Sequence, residues 1–366
     1  MNELFLYFLK LGSTGFGGPI ALIGMMETYF VDEKKSISSH DFHQMVGASK
    51  LFPGPLATLV AIRIGRKLGG IKGGYLAGFG IIIPSFFMIL FFAWGMSHLQ
   101  NGPPSAVNGL ILGLNIGGLA LSFLAAIRFV KPLITTQSLF YLIASGVLTF
   151  LHPKQEVLFL LSCGILSLIL NRFKTTLIAA SGVLLIPLFL ESIKASLFTF
   201  GSGIAIVPVL KAIYIDQYHW VSNSDFLMAL SLGQMTPGPL IILNTYLGNQ
   251  IAQFPGAIVA TFGTFIPTFF FGIYLMPFME VKLLASPVLK AFFAGMLPAV
   301  GGAIFGSVVR LSLFAFEDNS GTINGARVFL LALLLGVGLK TRFHPVLLIF
   351  MGGMLGALGF LAGIIQ

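Results

Sequence analysis

The sequence predicts an all-α polytopic membrane protein made of two inverted-topology repeats, with re-entrant or broken helices meeting near the bilayer midplane. Three observations predict it. The 366-residue chain is 56% hydrophobic and only 9% charged, where an average soluble domain is about one-quarter charged. The tripeptide Pro-Gly-Pro occurs twice in strongly apolar surroundings, in LFPGPLATL (51–59) and MTPGPLIIL (235–243). The basic residues that flank the first copy are missing around the second.

A soluble chain this apolar could not cover its own surface, so the bilayer is the expected solvent. Stretches 73–97 and 106–127 carry no charge, and 343–366 holds only His344 as a titratable group. The start, MNELFLYFLK, lacks the basic opening and small-residue cleavage site of a signal peptide, and is expected to stay in the mature protein. The net charge of +9 is scattered between apolar segments. That pattern fits cytoplasmic loops rather than a nucleic-acid surface. The single Cys163 and six dispersed histidines give no disulfide framework and no metal spacing, so no cofactor or metal is expected. Neither a P-loop, nor His-Glu-x-x-His, nor a serine nucleophile elbow is present, which argues against an ATP-driven pump or an intramembrane enzyme.

Aligning the two Pro-Gly-Pro motifs sets an offset of 184 residues. Phe16 then meets Phe200, Asp32 meets Asp216, and Asp41 meets Asp225; at an offset of 183, Gly65 meets Gly248, Gly73 meets Gly256 and Pro84 meets Pro267. The expected division is therefore a first repeat at 1–172, a linking helix at 173–194 and a second repeat at 195–366. Segment 63–72 carries Arg63, Arg66, Lys67 and Lys72, whereas its counterpart 246–255 carries no Lys or Arg. Lys34 and Lys35 likewise match Tyr218 and His219. Basic loops stay in the cytoplasm, so the two copies should face opposite sides, as in many secondary transporters.

The elements follow in order. Segment 4–31, broken at GFGGP, reads as a first hairpin. Segment 41–67 has basic flanks at both ends, and its arms of about eleven to thirteen residues would reach only about 16–20 Å as helix. That falls short of a hydrocarbon core of roughly 30 Å, so the spacing predicts a re-entrant hairpin with Pro-Gly-Pro at its tip. Crossings follow at 73–97, 106–128, 133–151 and 156–171, with Lys72, Arg128, Lys131, Arg172 and Lys174 at inner ends. The linking helix adds a fifth crossing. The inverted copy then has hairpins entering from outside and crossings at 256–279, 288–311, 324–340 and 344–365. This places the N-terminus in the cytoplasm and the C-terminus outside. Lys154, Lys194, Arg310 and Arg327 run against the pattern.

Proline removes a backbone donor and glycine admits unusual backbone angles, so each Pro-Gly-Pro ends one half-helix and starts another. The N–H groups after Pro55, from Leu56, Ala57 and Thr58, carry the positive end of a helix dipole, which binds anions without a charged side chain. Leu240, Ile241 and Ile242 offer the same in the second copy. Substrate contacts are therefore expected from Gly17, Gly18 and Pro19 at the first break and from Lys50, Pro53, Gly54, Pro55, Ala57 and Thr58 at the first tip. In the second copy they are Gly201, Ser202, Gln234, Thr236, Pro237, Gly238, Pro239 and Asn244. Lys50 is either an anion ligand or a lysine snorkelling to the interface; its counterpart is the uncharged Gln234. The threonines and Asn244 have helix packing as their plainer role. Glu27 is either a proton-coupling carboxylate or an interfacial partner of Lys34 or Lys35. Asp32, Asp216, Asp41 and Asp225 read as helix caps or loop residues, and Arg310 as a pathway residue or one snorkelling outward.

FGGPIALIG (16–24), FVDEKKSIS (30–38), LFPGP and GFGIIIPSF (78–86) resemble the chromate ion transporter family, and FGSGIAIVP, HWVSNSDF, LGQMTPGP and FIPTF resemble its partner repeat. The likeness covers nearly the whole chain in order. It implies antiparallel halves in the plasma (inner) membrane and export of a small oxyanion, chromate first and sulfate-like anions next, coupled to the proton gradient or membrane potential. The sequence departs from the family where many members have Gln or Asn for Lys50, His for Leu22, Trp for Ser36 and Gly for Ser202. The alternatives are an anion channel of the same fold and a non-transporting accessory subunit. The number of subunits is not readable.

Overall fold

The computed structural model describes residues 1–16, 18–100, 104–134, 136–151, 184–200, 203–279, 286–317, 322–341 and 345–364. Their regular structure is helical, with two isolated β-bridges and no sheet. The first half contains α1 (Asn2–Thr14), α2 (Gly18–Glu27), α3 (Ser39–Ser49), α4 (Leu56–Gln100), α5 (Pro104–Val130) and α6 (Thr136–Leu151). The second contains α7 (Leu185–Leu197), α8 (Ile206–Lys211), α9 (Asn223–Met235), α10 (Leu243–Phe270), α11 (Pro287–Phe316), α12 (Gly325–Lys340) and α13 (Pro345–Leu361). The expected crossing at 156–171 and the part of the linking helix at 173–183 lie outside the described residues.

Among the described residues, four helical stretches are long and apolar enough to cross a membrane: Leu56–Met96, Val107–Val130, Leu240–Met279 and Ala294–Phe316. Two of them are broken. In α4, Gly69 (φ −136°, ψ 20°) and Gly70 (φ 63°, ψ −155°) leave the helix. In α10, Ala252 (φ −146°, ψ 34°) and Gln253 (φ 53°, ψ −151°) do the same with nearly the same angles. Each break separates a short arm, 56–68 or 243–251, from a longer helix. The short arms are the second limbs of the Pro-Gly-Pro hairpins.

The repeat extends to fine detail. Thr28–Glu33 and Ala212–Gln217 are both π-helical, and Lys35 (φ 49°) and His219 (φ 53°) are both left-handed. Ser36 and Ile37 N–H donate to the Phe30 carbonyl, as Trp220 and Val221 donate to that of Tyr214. The N-caps of α3 and α9 are Ser38 and Ser222, whose hydroxyls accept from Asp41 and Asp225 N–H. The two aspartates thus sit in the first turn rather than at the cap. A hydroxyl one residue outside the helix reaches the orphan N–H groups better than a carboxylate already inside it.

Helix α7 stands to the second repeat as α1 stands to the first. A Cβ at Gly80 would lie 3.1 Å from the Phe5 carbonyl of α1, and one at Gly263 would lie 2.7 Å from the Phe189 carbonyl of α7. Residues 185–194, expected in a linking helix, thus lie in the counterpart of α1. The first hairpin, 4–31, is formed by α1 and α2 side by side. The Tyr7 hydroxyl donates to the Met25 carbonyl at 3.0 Å, Tyr7 stacks on Tyr29 at 4.0 Å, and Lys34 meets Glu3 at 2.6 Å.

The halves are locked by backbone approach at glycine. Helix α5 runs against α13 so closely that a Cβ at Gly113 would strike the Gly352 carbonyl. Helices α6 and α11 meet likewise at Gly146 and Gly302. Without a hydrophobic driving force in lipid, such close packing is how membrane helices associate. Exposed Phe87, Phe91, Trp94, Phe140 and Phe329 face outward, as lipid-facing side chains do.

Candidate functional site: the two tip-on-break docks

Each Pro-Gly-Pro tip rests on the Gly-rich break of the other repeat. The Gly54 N–H donates to the Thr199 carbonyl at 2.7 Å, and the Gly238 N–H donates to the Gly15 carbonyl at 2.9 Å. The four residues are related by the 184-residue offset. Both glycines need their type, with φ of 120° and 94°. A Cβ on Gly54 would lie 2.7 Å from Thr268 Oγ1, and one on Gly238 would collide with Ser85 Oγ. Ser85 and Thr268 follow Pro84 and Pro267, which remove N–H groups from α4 and α10. At the second tip, Ser85 Oγ donates to the Pro237 carbonyl at 2.7 Å. The irregular backbone that a bilayer forbids at its lipid surface is here satisfied by protein.

The two docks are unequal. The first tip is closed over: Gly54, Pro55, Ala57, Thr58 and Thr199 are buried, and Pro53 pairs with Phe200. At the second dock a cavity of ≈ 440 Å³ opens. Gly15, Phe16, Gly18, Pro19, Gln234, Thr236, Gly238 and Leu240 line it, with Leu121, Leu124, Ala125, Arg128 and Phe129 of α5 as the far wall. Ile20, on its rim, is 78% exposed, while the counterpart Ile204 is 1% exposed. A second groove of ≈ 950 Å³ runs between α1 and α2 past Glu3, Lys10, Thr14 and Glu33, and shares Ala21 with the first.

The expected site residues fall into three groups. Gly18, Pro19, Gln234, Thr236 and Gly238 come together in the cavity, and Pro237 and Pro239 complete its tip. Pro53, Gly54, Pro55, Ala57 and Thr58 form the closed dock, where Thr58 Oγ1 is buried with no hydrogen-bond partner among the described residues. Lys50 and Asn244 belong to neither. Lys50 is exposed at the C-cap of α3 and does not line the cavity. Asn244 is fully buried between α7 and α10, donating to Ser192 Oγ at 3.1 Å and Thr264 Oγ1 at 2.8 Å. Gly17, Gly201 and Ser202 lie outside the described residues.

Hydrogen bonding refines what the cavity residues can offer. Gln234 Nε2 donates to the Gly118 carbonyl at 3.0 Å and to Ser122 Oγ at 3.1 Å. A carbonyl only accepts, so this contact fixes which end of the amide faces α5 and occupies both N–H groups. The Thr236 hydroxyl donates to the Leu232 carbonyl at 2.7 Å. The charged donor left in the wall is Arg128, which the sequence assigned only to an inner helix end. The readable signal was its spacing: Leu121, Leu124, Ala125 and Arg128 continue one helical face.

Several charged groups elsewhere among the described residues are paired. Glu27 meets His43 at 3.4 Å rather than Lys34 or Lys35, because Lys34 is taken by Glu3. Lys67 closes the base of the first Pro-Gly-Pro hairpin on Asp41 at 2.8 Å, and with Ser38 holds that carboxyl below its usual range. Lys34, then Tyr29, do the same for Glu3. Asp216 is no loop residue: it is buried, 3.0 Å from the buried Lys211 and 3.6 Å from Arg310. Lys211 takes the position that Glu27 holds in the first repeat. Among the described residues no group of three or more His, Cys, Asp or Glu could hold a metal ion.

Comparison with known proteins agrees with this architecture. The sequence profile of the chromate transporter family matches twice, over residues 2–184 and 186–357. The chain is 32% identical over 344 residues to the chromate transport protein of Cupriavidus metallidurans, covering 87% of this chain and 84% of that one. It is 26% identical to the chromate transport protein of Pseudomonas aeruginosa over 98% of this chain and 92% of that one. No solved structure matches. With a profile spanning both halves and relatives aligned almost end to end, this multi-pass membrane protein belongs to the chromate transporter family.

Proposed function

We propose that the chain is a secondary active transporter of a small oxyanion, chromate first and sulfate-like anions next, exporting it on the proton gradient or membrane potential. The observation that carries this reading is the reciprocal pair of docks, Gly54 on Thr199 and Gly238 on Gly15, with a cavity at one and burial at the other. Inverted repeats that meet around irregular backbone can open to either side in turn. In this reading the anion sits first among Gly17, Gly18, Pro19, Gln234, Thr236 and the Pro237–Pro239 tip. Rocking of one repeat against the other then opens the Pro53–Pro55 dock, where Ala57, Thr58, Gly201 and Ser202 would take over and Lys50 would guide exit. Glu27, with His43 beside it, is the proposed coupling carboxylate. The protein would lie in the plasma (inner) membrane with the N-terminus in the cytoplasm and the C-terminus outside. The repeats would begin at α1 and α7.

The test is reconstitution in liposomes, with uptake of chromate, sulfate and molybdate measured with and without a proton gradient. Saturable, gradient-dependent chromate flux is expected. Absence of oxyanion movement under every gradient would overturn the reading, and flux indifferent to proton gradient and potential would remove the coupling.

A further inference from the structure

Among the described residues, the cavity at the second dock has one charged side chain in its wall. No Asp or Glu is among the described residues lining it, and Arg128 is the sole cation. Arg128 forms no hydrogen bond or ion pair with a described residue. The polar groups around it are already engaged: Gln234 donates both N–H groups to α5, and Thr236 donates to its own helix. A dehydrating oxyanion entering here would find one guanidinium among the described side chains. The Gln234 bonds to Gly118 and Ser122 lie on α5, so the tip and the arginine-bearing helix are held together.

We propose that Arg128 is the specificity-determining charge of the substrate site, binding a tetrahedral dianionic oxyanion in the open dock, with Lys50 outside that site. This rests on the transport reading above. Guanidinium suits the task because its donor fork matches two oxygens of one anion, and because it is less strongly hydrated than an ammonium. The cavity of ≈ 440 Å³ holds such an ion together with on the order of ten waters, so the ion need not shed its whole shell at once. At the closed dock the Gly54 tip lies against Thr199 and Thr268, which are uncharged. In this proposal the anion is held more tightly on the side of Arg128. An export carrier needs that difference, because it must gather a dilute ion on one face and release it on the other.

Two other sources of charge must be separated from this role. Arg128 could serve only as a positive helix end, or its guanidinium could hold a phospholipid phosphate. Chromate and sulfate uptake into proteoliposomes would therefore be compared for wild type, Arg128→Gln, Arg128→Lys and Lys131→Gln. Lys131 is exposed near the same helix end and does not line the cavity, so its loss removes the same charge from that end. The proposal expects Arg128→Gln to raise KM roughly tenfold or more with the saturating rate little changed, Arg128→Lys to fall between, and Lys131→Gln to match wild type. Equal KM values for Arg128→Gln and wild type would overturn it while leaving oxyanion transport intact. Failure of wild type to move any oxyanion would instead sink the transport reading. In case the glutamine variant does not fold, arginine modification of wild type by phenylglyoxal gives a second readout. Sulfate should protect Arg128 in neutral detergent, and Arg66, off the cavity, should be unaffected. Protection that needs phosphatidylglycerol and ignores sulfate would assign the guanidinium to lipid and end the proposal.

Discussion

Gly238 concentrates several demands on one residue. Its φ of 94° excludes an ordinary side chain, its N–H is pinned to Gly15, and its missing Cβ makes room for the Ser85 hydroxyl that holds Pro237. Gly238→Ala should therefore cost about 2–4 kcal/mol, the sum of backbone strain and a lost hydrogen bond. Gly24→Ala, in α2 with open space around it, should stay within about 0.5 kcal/mol. Unfolding of both variants in detergent micelles would measure the difference. The two matched aspartates give a second contrast at this scale. Asp216 is buried against Lys211, whereas Asp32 is exposed. Removing one partner of a buried pair leaves the other charge uncompensated, so Asp216→Asn should destabilise by about 3–5 kcal/mol. Asp32→Asn should change stability by less than about 0.5 kcal/mol in the same melt. Sequence symmetry made these two residues look alike; only the packing of α8 and α11 around one of them separates their roles.

The hairpins show how a half-helix is made. Pro-Gly-Pro supplies the reversal, and a serine cap supplies the start of the limb before it. At α9 the cap is complete: Ser222 accepts from Asp225 N–H, and Asp225 accepts from Ser222 N–H at 3.3 Å. Ser222→Ala should loosen this helix by about 1 kcal/mol, visible as faster amide exchange in 223–226 without change in the rest of the chain. The second limbs end at the kinks near residues 70 and 253, where Gly70 and Gln253 adopt the same left-handed angles. Glycine does this freely; Gln253 does it with a Cβ. Gly70 fits the sequence expectation of a break beyond Lys67, and residue 253 lies in the counterpart segment 246–255, just before Pro255 and the crossing expected at 256–279. That second kink follows from closure of its hairpin, which brings Gly248 against the Gly256 carbonyl as Gly65 meets that of Gly73.

At the scale of the whole molecule the two kinks become a test of inversion. Single cysteines at residues 70 and 253 should label from opposite faces of the membrane; modification of both from one face would refute the inverted topology. The lone native Cys163 would first be replaced by serine so that each signal has one source. The same scale explains the division of labour between the docks. Among the described residues, the cavity at Gly238 is not lined by the Pro53–Pro55 tip. Each tip crosses to the partner repeat's break; in the proposed transport cycle, a solute held at one dock would be released at the other.

Composition, spacing and charge were enough to determine a two-repeat helical membrane protein, its Pro-Gly-Pro hairpins and the broken first hairpin. These depend on local chemistry: proline removes donors, glycine widens backbone choice, and apolar runs of a given length match lipid. Tertiary structure decided which tip meets which break, that the Gln234 N–H groups are spent on α5, that Asn244 is absorbed in helix packing, and that Arg128 reaches the open cavity. Those outcomes depend on how helices far apart in sequence are rotated against one another. A residue's own neighbours in the chain carry no record of that rotation, so an arginine at a helix end and an arginine in a cavity wall read the same until the helices are packed.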